Sequence, residues 1–270
     1  MLKKFPFRSR FEISAALAAL TTFPLLMLVP SLWFLPAAVF GLLCLVGPYV
    51  QRFSFFLTIV RRGKTDRPEI AITFDDGPDP ETTPALLKLL SMYGIHATFF
   101  VIGEKIAACP DLVQAILDGG HDIGNHSDTH DVFLMLKGRR KIESEIISCQ
   151  DRLSEFSIRP KTFRPPVGIT NPHLGRILKN LGLICVGFSC RPADFGNRRI
   201  NRMAVKVLKK IRPGDILLLH DCKPHGELSS GQFLEEVERI FVGLQSKQLK
   251  PVPLSSLIDR PVMDKIGAIG

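Results

Sequence analysis

Between Ile13 and Gln51 the chain carries no Asp, Glu, Lys or Arg, and Leu, Ala, Val and Phe dominate the run. As one helix those 39 residues would extend about 58 Å, against a bilayer hydrocarbon core of about 30 Å. Two spans fit better, roughly 13–29 and 32–50, with the break between Pro30 and Pro36. Pro24 and Pro48 are tolerable in membrane helices whose neighbours satisfy the freed carbonyls. A cleaved signal peptide is the competing reading, but the apolar stretch is far longer than a signal h-region.

The flanks set an orientation. Lys3, Lys4, Arg8 and Arg10 precede the first span, and Arg52, Arg61, Arg62, Lys64 and Arg67 follow the last, while the turn between spans is uncharged. By the positive-inside rule two spans with both ends basic form a hairpin with both termini cytoplasmic. Phe53 to Val60 is apolar again and bounded by arginines, which suits a segment lying on the membrane surface.

The formal net charge is +9, but residues 1–62 hold seven Lys/Arg against Glu12 alone. Residues 63–270 hold 28 Lys/Arg and 25 Asp/Glu. A nearly balanced domain offers no electrostatic footprint for nucleic acid. Cys44 lies in the apolar run, and the other five cysteines form an odd set without C-x-x-C spacing. That pattern argues against a zinc ribbon or a disulfide framework and favours a reducing compartment.

From Arg67 apolar strand-like runs alternate with helical patterns. Strand signals fall at Ile70–Phe74, Ala97–Ile102, His121–Gly124, Thr162–Arg164, Ile184–Phe188, Asp215–His220 and Val252–Pro253; helical patterns separate most of them. Such alternation implies parallel strands with helices outside. Six or seven units in this length suit a small β/α barrel better than an open doubly wound sheet, and in such barrels chemistry sits at the C-terminal ends of strands. The polar residues obey that rule: Asp75-Asp76, His126 with His130, Arg164, Asp194 and His220 each follow a strand signal.

Taken alone, Asp75-Asp76-Gly77-Pro78 reads more readily as a solvated turn than as a site. Side chains alternate along an extended chain, so the two carboxylates should point in different directions, one to a cation and one to a proton. His126 and His130, four apart, would face one way on a helical turn and share a metal ion; surface or core histidines are the plainer reading. Two His and one Asp with open positions is the set of a catalytic metal. Asp128 reads as a solvated loop residue, and His96, His121, His173 and His225 as structural or surface groups.

T-F-D-D-G-P (73–78), H-S-D-T-H (126–130), R-P-P-V-G (164–168) and L-L-L-H (217–220) occur in this order and spacing in the polysaccharide deacetylase, or NodB-homology, family, which the chain resembles from about Arg67 to Leu257. The stretches G-I-H-A-T-F-F-V-I-G and G-H-D-I-G-N-H look like that family as well. The resemblance implies a distorted β/α barrel of about seven units and metal-dependent removal of N-acetyl, less often O-acetyl, groups from sugars. It implies that Asp76, His126 and His130 hold one divalent ion, zinc in the first instance, with cobalt, nickel or manganese as alternatives. Asp75 would be the general base, oriented by Arg164, and His220 the general acid for the departing amine. The backbone N–H of Val167 would help hold the oxyanion, and Leu218 would line the pocket for the acetyl methyl.

Two positions depart from the family pattern. Val167 stands where an aromatic is usual, and Arg191 replaces the first acid of a motif that usually reads Asp-Ser/Ala-x-Asp-Trp. Asp194 matches the second acid and Phe195 replaces the tryptophan, which implies a buffer for His220 or Arg164 and an altered sugar groove.

The expected organisation is an anchor over 1–62 and a deacetylase domain over 63–270. The substrate is an N-acetylated glycan or, since the hairpin turns the domain to the cytoplasmic side of a bacterial-type inner membrane, a lipid-linked amino sugar. The alternative is an inactive, membrane-anchored glycan-binding or scaffold member, which the altered fourth motif favours. A metallophosphatase is disfavoured by too few ligands for a two-metal site.

Overall fold

A computed structural model describes residues 9–226 and 228–266; the basic residues Lys3, Lys4 and Arg8 lie outside that range. Helix α1 (Arg10–Leu28) opens on a capping box in which Ser9 and Glu12 bond each other's backbone N–H. A turn with a 3-10 segment at Pro30–Leu32 leads to α2 (Leu35–Val46). Arg10–Leu28 and Pro30–Tyr49 are each long and apolar enough to cross a membrane, and they have almost no buried surface. The helices pack side by side, and the start of α1 meets the chain beyond α2: Phe11 N–H donates to the Phe55 carbonyl at 2.9 Å, and its ring contacts Phe40, Phe55 and Phe56. Both ends of the hairpin therefore sit on the side of the globular domain, with the Pro30 turn at the far end.

The stretch Phe53–Val60 differs from its expected place on a membrane surface. Phe55, Phe56 and Ile59 are buried, and Ile59–Val60 forms β1, which pairs in parallel with β7 (Ile184–Val186). Apolar residues flanked by arginines satisfy a protein interior as well as a bilayer, and the arginines themselves are engaged. Arg61 Nε donates to the Phe188 carbonyl at 3.0 Å, and Arg62 pairs with Asp215 at 3.3 Å.

The remaining strands are β2 (Glu69–Gly77), β3 (Thr98–Val101), β4 (Asp122–Asn125), β5 (Ile158–Pro160), β6 (Thr162–Phe163), β8 (Ile216–His220), β9 (Lys250–Pro251) and β10 (Met263–Lys265). Seven run in parallel in the order β1-β7-β6-β4-β3-β2-β8, with β9 added beside β2 and a separate antiparallel β5–β10 pair. Among the described residues, the two ends of this sheet are joined by single bridges, Arg62 to Asp215 and Cys190 to Leu217. The result is a parallel sheet curled into a half-barrel, the parallel strands expected from the alternation and the distorted barrel that the family resemblance implies. Val252–Pro253, expected as a strand, follows β9 instead. Val252 is buried with Leu254 and Leu257 of α10 (Leu254–Ile258) against Ala71, Phe100, Val186 and Ile216.

Helices α3 (Thr83–Met92), α4 (Gly103–Ala108), α5 (Pro110–Asp118), α6 (Arg139–Ser154), α7 (Leu174–Leu181), α8 (Met203–Lys210) and α9 (Ser230–Ser246) complete the domain. Strand β2 is buried almost throughout because a parallel strand is covered on both faces. Ile70, Ile72 and Phe74 join the outer core with Phe99, Leu86 and Phe233. Ala71, Thr73 and Asp75 alternate to the inner face, so a carboxylate stands on the inner wall at the C-terminal end of the strand.

Gly124 of β4 shows how tightly the inside is filled. A Cβ there would lie 2.5 Å from two ring carbons of Phe100 and 2.9 Å from Thr162 Oγ1. Forcing a methyl into a packed interior costs roughly 1–3 kcal/mol. Gly124→Ala should lower the Tm of the detergent-solubilised chain by several degrees; an unchanged Tm would show that the Phe100 ring yields freely.

Candidate active site

Above the inner wall lies a cavity of about 630 Å³ that Asp75, Asp76, His126, His130, Arg164 and His220 all line. Asp75, at the end of the inner-facing row, is held by Arg164: Nη1 donates to its Oδ1 at 2.6 Å and to Thr73 Oγ1 at 2.8 Å. The guanidinium also donates to the carbonyls of Val186 and Gly187 and lies 4.0 Å from the centre of the Phe100 ring. Burial lowers the pKa of Arg164 against the opposing pull of Asp75.

Asp76 does not point away from Asp75, as strict alternation would require. Its φ is +72°, and the pairing with β3 shifts register between Asp75 and Gly77. This irregularity turns Asp76 onto the same site. Its Oδ1 lies 3.3 Å from His126 Nε2 and 3.2 Å from His130 Nε2.

The two histidines are not on a helical turn either. Asn125 ends β4, and the following residues form a loop in which Ser127 and His130 take φ of +69° and +53°. Asn125 Oδ1 accepts from Ser127 N–H, and Ser127 Oγ accepts from His130 N–H. Glu145 of α6 accepts from the N–H groups of Asp128 and Thr129. These bonds fold the loop back so that both rings face Asp76, 4.9 Å apart. Asp128, expected as a solvated residue, instead accepts from Arg152 Nε at 2.8 Å and braces the same loop.

One ligand atom from each of Asp76, His126 and His130 lies within 4.8 Å of the others. His126 Nδ1 is 2.7 Å from the Arg164 carbonyl; a carbonyl only accepts, so Nδ1 carries the proton and Nε2 faces Asp76. That second hydrogen bond is typical of metal-ligating histidines. Burial works against ionised Asp76, yet the hydrogen bond from His126 and the charges of His126, His220 and His130 hold its carboxyl well below the usual range. Burial opposes a proton on His126 too, but Asp75 and Asp76 outweigh it and raise its pKa. His130, desolvated and beside His126, is pushed down to about 4. An ionised carboxylate between two imidazoles is a donor set for one divalent cation, which displaces the shared proton.

On the other wall His220, at the end of β8, places Nδ1 2.7 Å from Asp194 Oδ2. Burial disfavours the imidazolium, but the hydrogen bond and charge of Asp194, with smaller contributions from Asp76 and Asp75, raise its pKa to about 9. Asn197 donates to the carbonyls of His220 and Cys222 and holds this loop to the strand end. Asp221 points elsewhere: it is buried, accepts from Thr82 and Thr83 at 2.6 Å each, and burial raises it to about 7.

Leu218, Val167 and Phe195 also line the cavity. Val167 is a β-branched residue at φ +51°, a conformation that costs such a side chain of order 1–3 kcal/mol and collects at functional sites. Sequence reasoning missed Lys105, Arg191, Arg198 and His225 as lining residues. Lys105 Nζ donates to the Asp76 carbonyl at 2.6 Å. No motif marks Lys105, Arg198 or His225, and Arg191 stands out only as the replaced acid of the fourth motif; α4 carries Lys105 to the rim and loops carry the other three.

A profile of the polysaccharide deacetylase family matches residues 62–186. The chain is 35% identical over 191 residues to a peptidoglycan-N-acetylglucosamine deacetylase of Bacillus cereus, covering 70% of this chain and 87% of the relative. It is 36% identical over 185 residues to a chitooligosaccharide deacetylase of Sinorhizobium fredii, covering 67% and 84%. Among solved structures, a peptidoglycan N-acetylglucosamine deacetylase superposes with a TM-score of 0.69 at 28% identity, covering 76% of this chain and 94% of the other. A family pseudoenzyme of Bacillus anthracis shares the fold with a TM-score of 0.66 at 19% identity. The fold alone therefore does not decide activity, and the site residues carry that weight.

The Asp194–His220 pair yields a direct measurement. With a divalent ion at Asp76 the pull of Asp76 on His220 is cancelled, whereas that of Asp194 remains. His220 should titrate well above 6.5 by NMR, and Asp194→Asn should lower its pKa by at least about one unit. The protonated fraction would then be lost at lower pH as pH rises. An unmoved His220 titration would remove Asp194 as its charge partner.

Proposed function

This chain belongs to the polysaccharide deacetylase family, and we propose that it is a membrane-anchored hydrolase removing the N-acetyl group from an amino sugar in a glycan or glycolipid. Its class is carbohydrate deacetylase. The observation that carries the proposal is that two acid–base pairs, Asp75 with Arg164 and His220 with Asp194, flank the Asp76/His126/His130 group in one cavity. N-Acetylglucosamine, named for the peptidoglycan-acting relatives, is the sugar we assign first.

Asp76, His126 and His130 would hold one divalent ion, zinc first, with cobalt, nickel and manganese compatible with the donor set. When bound, that ion lowers the pKa of water and polarises the acyl carbonyl. Asp75 accepts the proton of the attacking water; its other oxygen is fixed by Arg164, so the carboxylate does not rotate away. The Val167 N–H, presented by the strained 165–168 turn, donates to the oxygen that gains charge. Leu218 covers the acyl methyl, a small apolar group against a buried leucine. His220, kept protonated by Asp194, donates to the sugar nitrogen as the C–N bond breaks. Without that proton the leaving group is an amide anion, and the acyl carbon would return to it. Phe195 offers a ring face to the sugar beside Asp194.

The anchor is assigned to 1–62 and the deacetylase domain to 63–270, with β1 the point where the anchor enters the sheet. The basic flanks support a cytoplasmic face for the domain, with both hairpin ends on the domain side. The inactive, glycan-binding reading is disfavoured because the ligands, the base and the acid are all in place.

Wild-type protein loaded with zinc should release acetate from N-acetylated sugars, and Asp75→Asn should lower kcat by about 10²–10⁴-fold with its metal content retained. Full activity in the variant removes Asp75 as the base. A topology reporter fused after Gly270 should report from the cytoplasm; activity only on the opposite side overturns the orientation and leaves the chemistry untouched.

A further inference from the structure

Three independent features converge on the rim of the cavity. The first is a joint between the hairpin and the catalytic wall. Gln51, just past the second candidate span, donates from Nε2 to the Gly168 carbonyl at 3.2 Å and accepts from the Phe188 N–H at 3.4 Å. Thr170 N–H donates to the Pro48 carbonyl at 3.3 Å. Gly168 and Phe188 line the cavity. The fit is close: a Cβ on Gly168 would lie 2.3 Å from Gln51 Nε2, and one on Gly187 2.5 Å from its Oε1, so a larger residue at either position would displace the Gln51 amide. The chain end that leaves the bilayer is thus built into the wall of the active site.

The second feature is apolar. Beyond Phe53 the described residues include ten large hydrophobics that are exposed, and five of them are Val132, Phe133, Leu136, Val167 and Phe195. Val132, Val167 and Phe195 line the cavity, while Phe133 and Leu136 stand beside Val132, 64% and 78% exposed. Asn171 Nδ2 donates to the Met135 carbonyl at 3.0 Å, so the 132–136 segment is tied to the turn that also holds Pro48. Apolar exposure concentrated at one mouth and continuous with a membrane hairpin marks a surface that meets lipid.

The third feature is charge. From Arg191 to Arg202 the chain has four arginines and one acid, Asp194, which His220 already engages. Arg191 and Arg198 line the cavity, and among the described residues neither is paired with a carboxylate within 4 Å. Guanidinium groups unpaired beside an apolar rim match a phosphate at the level of lipid headgroups.

We propose that the mouth of this active site lies on the membrane surface and takes an amino sugar joined through phosphate to a membrane lipid, with Arg191 and Arg198 contacting the phosphate. This rests on the deacetylase and hairpin readings above. The geometry orders the substrate: the lipid stays in the bilayer along the hairpin, the phosphate meets the arginines at the rim, and the sugar reaches inward to Asp75 and His220. A polymer would need a long open groove; the apolar rim and the docked anchor occupy one side of this mouth.

The test uses the full chain in phosphatidylcholine vesicles, with polyprenyl-phosphate N-acetylglucosamine in the bilayer as one probe and soluble chitotetraose as the other. Wild type should favour the bilayer probe by at least about tenfold in kcat/KM, and Arg191→Ala/Arg198→Ala should lower the ratio of the two efficiencies by about tenfold, mainly through KM. Preference for chitotetraose, or equal losses on both probes, overturns the phosphate assignment. Acetate from neither probe sinks the deacetylase reading itself, and a second measurement still decides where the mouth lies. In a Trp33→Phe background, tryptophan placed by Leu136→Trp should be quenched by brominated lipid, and tryptophan placed by Val242→Trp on α9 should not. No quenching at position 136 overturns the membrane-facing mouth.

Discussion

The guanidinium of Arg164 is the point through which the half-barrel and its site depend on each other. It is 1% exposed, and a charge at that depth is tolerated only if its hydrogen bonds and countercharge are supplied. Here Thr73 and Asp75 come from β2, and the carbonyls of Val186 and Gly187 from β7 and the turn after it. Phe100 of β3 covers the face of the guanidinium. One side chain from the end of β6 therefore ties three other strands of an incompletely closed sheet. Lysine, with a single ammonium and no planar fork, cannot make this set of bonds. Removing either partner leaves an uncompensated buried charge, so the interaction that orients Asp75 also holds the inner wall together.

Strain is gathered where the chemistry is. Asp76, Ser127, His130 and Val167 all have positive φ without being glycine, each at a cost of order 1–2 kcal/mol. The surroundings over-determine these conformations. Glu145, Asn125 and the Asp128–Arg152 pair fix the histidine loop, and Lys105 holds the Asp76 carbonyl. The site is thus preorganised by groups outside the Asp76/His126/His130 cluster, with Glu145 fixing the stretch of loop between the two imidazoles.

The regular parts of this molecule were legible because they obey periods. The apolar run gave two candidate spans, and the alternation of strand and helix gave the parallel half-barrel. The rule that function follows strand ends brought Asp75, Asp76, His126, Arg164, Asp194 and His220 into one cavity. What escaped reading is aperiodic. The left-handed turn at Asp76 reverses the facing that alternation predicts, and nothing in Asp-Asp-Gly-Pro announces it. The His126–His130 spacing suits a helical turn and a folded loop equally. Phe53–Val60 has a composition that fits bilayer or protein core, and only its pairing with Cys185 and Val186, more than a hundred residues away, decides between them. Lys105, Arg191, Arg198 and His225 reach the rim through tertiary placement of α4 and of loops, on which residue type is silent.

That joint at the rim changes what an anchor means here. A linker fixes only a radius, and within it a domain samples all orientations. Between α2 and β1 there is no such freedom: two 3-10 turns span Gly47–Tyr49 and Gln51–Phe53, Phe55 and Phe56 are buried, and Ile59 enters the sheet. Gln51 closes the joint with one amide that bonds both Gly168 and Phe188, two residues of the cavity wall. Moving the hairpin relative to the domain would break those bonds and the 165–168 turn that presents the Val167 N–H. The helical hairpin and the turn that carries Val167 are therefore one packed unit, and their relative position is set by packing rather than by chain length.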